Sequence, residues 1–139
     1  MMKTFYIIFL AAAFACSGAL TAARAADING IWTKTTNPDP TNITIFYHDK
    51  NELKAIGYSE IQGKKIVSYA EGEMEGRRLQ LFYRHSQAAL PPGWESQGIM
   101  NLILSDDGNV IEGTATSKSG NWSGKIEFKR IQLVTPSAD

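Results

Sequence analysis

The chain predicts an all-β domain: an eight-stranded antiparallel up-and-down barrel, with a β-sandwich as the alternative. Three observations carry that expectation. Apolar and polar residues alternate with a period of two through most of residues 31–133, short polar clusters rich in Gly, Asn and Asp punctuate the alternation, and no stretch in that range shows a helical stripe.

The first residues stand outside this pattern. "MMKT" is a short basic segment, "FYIIFLAAAFA" an apolar run of eleven residues, and "AARA" places small residues where a signal peptidase reads. The expected organisation is a signal peptide over residues 1–25 and one β-barrel domain over 26–139. The apolar run is shorter than the roughly 17 to 25 residues a membrane-spanning helix requires. Export to a periplasmic or extracellular space is therefore expected. Lipid attachment at Cys16 is the competing reading, but "AFAC" lacks a leucine three residues before the cysteine.

Cys16 is the single cysteine, so the chain forms no internal disulfide and the domain depends on its core. Lysine and arginine together number 14, as do aspartate and glutamate; removing Lys3 and Arg24 with the leader leaves 12 basic residues against 14 acidic ones. That balance argues against nucleic acid or an anionic membrane surface as the main partner.

Eight strands are expected, in order, at Ile31–Thr35, Asn42–His48, Leu53–Ile61, Lys65–Glu71, Arg78–His85, Ile99–Ser105, Val110–Thr116 and Trp122–Leu133. In the second, Ile43, Ile45 and Tyr47 share a face; in the fifth, Leu79, Leu81 and Tyr83 oppose Arg78, Gln80 and Arg84. The sixth aligns Met100, Leu102 and Leu104, and the eighth aligns Trp122, Gly124, Ile126, Phe128 and Arg130. "DKNE", "GEMEG" and "SDDGN" read as tight turns, with Gly108 placed for a positive φ. The longer connections are "NPDP", around Pro38 and Pro40, and "SQAALPPGWESQG". If sequential strands are neighbours, both longer connections and "SKSGN" gather at one end, and the tight turns and chain termini at the other.

"GIWT" in the first strand and "FKRI" in the last resemble the signature of the calycin superfamily, the lipocalin-like and avidin-like barrels. The resemblance implies that Trp32 of the Gly30-x-Trp32 element plugs the closed end while Arg130 packs across it. The length and the "GIWT" opening look more avidin-like than lipocalin-like. Biotin binding does not carry over, since the first strand continues "KTTNPDP" and the connection after the third is only "QGK".

Opposite the plug, Trp94 follows two prolines and a glycine in "PPGW", a stiffened approach that presents a large ring, and Trp122 opens the last strand at the same rim. Tyr83 and Met100 are expected on the inner wall, with His85 near the mouth. His48 and His85 end strands of opposite direction, which argues against a two-histidine metal site, and no metal site is expected. The acidic run Glu71, Glu73 and Glu75 matches no calcium loop. No metalloprotease, nucleophile-elbow or phosphate-loop motif occurs, so neither an enzyme nor a cofactor is expected. The expected function is binding of a small apolar or aromatic molecule in the barrel mouth; the alternative is a secreted interaction or inhibitor module that meets a protein partner through the Trp94 loop.

Overall fold

The computed structural model describes residues 26–36, 42–86 and 90–132. Residues 1–25, with Cys16, the "NPDP" segment with Pro38 and Pro40, and the end of the chain from Leu133 lie outside the described residues.

Eight strands follow one another: β1 (Gly30–Lys34), β2 (Ile43–Asp49), β3 (Glu52–Ile61), β4 (Lys64–Glu75), β5 (Arg78–His85), β6 (Gln97–Leu104), β7 (Val110–Ser117) and β8 (Ser123–Arg130). Each pairs antiparallel with the next, and β8 returns to β1 through Trp32 opposite Arg130 and Lys34 opposite Phe128, so the sheet is a closed barrel. A sandwich is thereby excluded. Closure leaves no unpaired sheet edge.

Most boundaries lie within two residues of the sequence reading, and two differ by more. The "GEMEG" segment is strand as far as Glu75, because Glu71, Glu73 and Glu75 point outward while Gly72 and Met74 pair against β5, and only Gly76 and Arg77 turn. At the other edge, β8 ends at Arg130, whose backbone N–H donates to the Asn109 carbonyl.

The alternation sorts side chains as a barrel requires. Leu79, Leu81 and Tyr83 of β5 and Met100, Leu102 and Leu104 of β6 are buried inside, whereas Ile43, Ile45 and Tyr47 of β2 are exposed. The β2 interior face is instead Thr44 and Phe46.

The closed end is packed by Ile28, Trp32, Leu53, Leu79, Leu104 and Ile111, each at 2% exposure or less. Arg130 lies over the Trp32 ring, its guanidinium carbon 4.4 Å from the ring centre. Its Nε donates to the Gly108 carbonyl at 2.9 Å, Nη1 to Asn29 at 2.7 Å and Nη2 to Asp27 at 2.6 Å. Trp32 Nε1 donates to the Ile28 carbonyl at 3.1 Å, which satisfies the one polar atom of a ring with no exposed surface. Gly30 has φ of +143°, and a Cβ there would stand 3.0 Å from Arg130 Nη1, so both conformation and space call for glycine.

Candidate ligand-binding site

Above this plug the barrel is hollow. A cavity of about 760 Å³ opens at the end where the β1–β2, β5–β6 and β7–β8 connections gather. Its size falls in the range of small-molecule sites. The lower lining is apolar, formed by Phe46, Ala55, Ala70, Met100, Ile126 and Phe128. Phe46 stands edge-on to both Trp32 and Phe128, at centroid distances of 6.0 and 5.4 Å, so the floor is a rigid aromatic cluster.

The space exists because small residues occupy inward positions on several strands, Ala55 on β3, Ala70 on β4 and Ala115 on β7. Ala70 and Ala115 supply only a methyl, and at Gly98 no side chain fits: a Cβ would meet the Thr116 carbonyl oxygen and the Tyr83 hydroxyl at little more than 2 Å. Tyr83 and Gly98 are opposed in register, so the Tyr83 ring lies in the place a β6 side chain would take.

Toward the mouth the lining turns polar, with Lys34, Thr44, Ser59, Ser68, His85 and Ser117. Ser68 and His85 are directly opposed on β4 and β5, and Ser68 Oγ lies 2.7 Å from His85 Nδ1. Burial, and secondarily the Lys34 charge, holds the His85 imidazole below its ordinary pKa. Burial alone lowers the Lys34 ammonium from its usual value. Desolvation, and secondarily the Glu95 carboxylate, raises the Tyr83 phenol.

The rim carries the two remaining tryptophans, Trp94 at 47% and Trp122 at 54% exposure. Trp94 follows a tight turn in which its N–H donates to the Pro91 carbonyl at 3.2 Å and Gly93 takes φ of +83°. Glu95, the next residue, ties this loop to the β7–β8 connection by accepting from the Ser119 N–H at 2.9 Å and from the Ser119 hydroxyl. Those bonds lower the Glu95 pKa. The Trp122 ring leans across Gly124, where a Cβ would stand 2.8 Å from it.

Tyr83, His85, Trp94, Met100 and Trp122 thus line one cavity, while Gly30, Trp32 and Arg130 meet at the opposite end. His48 is at the closed end, its backbone bonded in both directions to the Asn29 amide and its Nε2 buried without a partner among the described residues. Sequence reasoning missed Lys34, Ser68 and Thr44. A hairpin through Gly76 and Arg77 brings Ser68 opposite His85, but a fourth strand that ends at Glu71 does not imply that register. Among the described residues no group of three His, Cys, Asp or Glu side chains is placed to hold a metal ion, and no helix is long and apolar enough to cross a membrane.

Comparison with known proteins finds no matching family model, no matching curated protein and no matching solved structure.

Proposed function

We propose that the protein is an exported small-molecule-binding barrel of the calycin type, which takes an apolar or aromatic ligand through the mouth between Trp94 and Trp122. The carrying observation is the cavity itself, about 760 Å³ with an apolar floor and a graded polar rim. Barrel interiors of eight strands are either filled by side chains or left open for one small ligand, and here alanines and glycines leave them open. The Gly30, Trp32 and Arg130 cluster supports the calycin reading, and the leader over residues 1–25 supports export. A carrier role needs no reaction chemistry. Ser68 and His85 form a hydrogen-bonded pair in the polar part of the lining, where they can meet a polar group of the ligand.

Mass spectrometry of protein purified from its exporting compartment tests this reading. The native spectrum is expected to carry an excess mass that is lost on denaturation, and fragmentation of that species identifies its class. An equal native and denatured mass, together with no uptake of added apolar probes, overturns it.

A second reading has its own observation. Trp94 is a half-exposed ring on a proline-stiffened loop that is pinned by Glu95 to Ser119. Such a preorganised aromatic loses little entropy on docking, as in a protein-interaction or inhibitor module. In that case a partner is captured by the wild type and not by Trp94→Ala.

A further inference from the structure

The cavity lining is asymmetric in charge. Among its described residues Lys34 and Lys125 are cationic and Glu95 is the one carboxylate, and Glu95 is held at the rim by Ser119. Lys34 points inward from β1, opposite Phe128 on the neighbouring strand, and is half-buried. Its ammonium makes no ion pair or hydrogen bond with any described residue, whereas the ion pairs of the barrel, such as Lys54 with Glu52 and Lys129 with Glu127, lie on its outside. A desolvated ammonium without a counter-charge is unfavourable in a folded protein, and such groups are retained where a ligand supplies the missing charge.

His85 faces Lys34 from the opposite wall. The two stand on β1 and β5, strands four apart in a ring of eight, and the Lys34 charge reaches the His85 ring. Ser68 occupies His85 Nδ1, which leaves Nε2 as the ring's other polar atom. Below this belt the lining is apolar as far as the Trp32 plug.

Resting on the small-molecule reading, we propose that the ligand is an amphipathic organic anion, its apolar body in the lower barrel and its anionic head between Lys34 and His85. The head supplies a counter-charge that no described residue gives Lys34, and its presence favours a proton on His85, so binding strengthens as pH falls. The titratable or charged groups that line the site with them are Tyr58 on β3, Tyr69 on β4, Tyr83 on β5, Glu95 in the β5–β6 loop and Lys125 on β8. Glu95 and the tyrosines do not reverse that direction: Glu95 is held below its ordinary pKa by Ser119, and Tyr69 and Tyr83 are raised above theirs.

Two fluorescent probes with one ring system test the proposal. 8-Anilinonaphthalene-1-sulfonate carries the anion, and N-phenyl-1-naphthylamine is the same molecule without it. A purely apolar cavity favours the neutral probe. The protein is expected to bind the sulfonate at least tenfold more tightly at 0.15 M salt, and several-fold more tightly again at pH 5.5 than at pH 8. Lys34→Met is expected to bring the ratio of affinities toward one while raising the melting temperature, because it removes a buried charge. His85→Gln is expected to remove the pH dependence. Equal affinities in the wild type, or an undiminished preference in a folded Lys34→Met, overturn the anion proposal and leave the small-molecule reading standing. Failure to bind either probe overturns both. Should Lys34→Met not fold, the wild-type ratio and its pH dependence decide alone.

Discussion

Ser68 Oγ and His85 Nδ1 lie 2.7 Å apart across the β4–β5 ladder, a polar pair set into the wall of a cavity whose floor is aromatic. Burial first, and the Lys34 charge second, lowers the His85 pKa. The native state therefore prefers a neutral imidazole, whereas the unfolded chain takes up its proton near the ordinary value of about 6.5. The stability due to this preference is present above about pH 6.5 and is lost as pH falls through that value toward the lower native pKa. Thermal melts of the unliganded protein between pH 8 and 5 are expected to show a decline that His85→Gln reduces.

Arg130 joins three backbone carbonyls to the face of Trp32. Arg130→Ala leaves those carbonyls without their donors and is expected to cost roughly 2–4 kcal/mol in urea unfolding. Arg130→Lys is expected to recover less than half of that loss, since a single ammonium cannot span the three acceptors that a planar guanidinium reaches.

Gly30→Ala combines an unfavourable φ with a Cβ 3.0 Å from Arg130 Nη1. The expected cost is about 1–3 kcal/mol. In the Arg130→Ala background the steric part disappears and the conformational part stays, so a double-mutant cycle is expected to show the two substitutions costing less together than their sum.

Ala115→Leu places a larger side chain in the cavity beside Gly124, its partner on β8. In a filled core such a change overpacks and destabilises. Here it is expected to be neutral or to stabilise by about 1 kcal/mol from the added apolar burial. Probe affinity is expected to fall at least tenfold, and titration with the naphthylamine checks it.

Trp94 is half exposed at the mouth, so Trp94→Ala is expected to shift the urea midpoint by the equivalent of less than about 0.5 kcal/mol. A loss well beyond that would mean the ring belongs to the core. Under the small-molecule reading probe affinity drops several-fold, and the quenching of tryptophan fluorescence by bound probe diminishes.

The barrel was legible in the sequence because a closed meander needs little beyond period-two alternation and local turns, and both are strong on β5, β6 and β8. Residues of β5 expected on one face, Leu79, Leu81 and Tyr83, are indeed inside. Where inner and outer faces are both apolar, the pattern does not say which is which. The exposed Ile43, Ile45 and Tyr47 of β2 are bulkier on average than the inner pair Thr44 and Phe46, and only pairing with β1 and β3 decides. The cavity was less legible still. It arises from what is missing at Ala55, Ala70 and Ala115, and an absence has no periodic signature. Lys34 falls within the expected first strand, two residues from Trp32, but a single lysine at the end of a five-residue strand carries no pattern that marks it as cavity lining.

Seven of the eight strand pairings join neighbours along the chain, and each forms from a hairpin or short crossing. The eighth, β1 with β8, brings Trp32 to Arg130 across nearly the whole domain and pairs Trp32, Thr33 and Lys34 with Arg130, Lys129 and Phe128. That seam carries the largest loop-closure entropy and has only three ladder positions, as few as β1–β2, which makes it the natural last event in folding and the first place for the wall to part. Lys34 sits on it, opposite Phe128. A bound anion that neutralises Lys34 therefore acts at the point where the ring is least secured, so occupancy is expected to slow hydrogen exchange along β1 and β8 more than along the long β3–β4 hairpin.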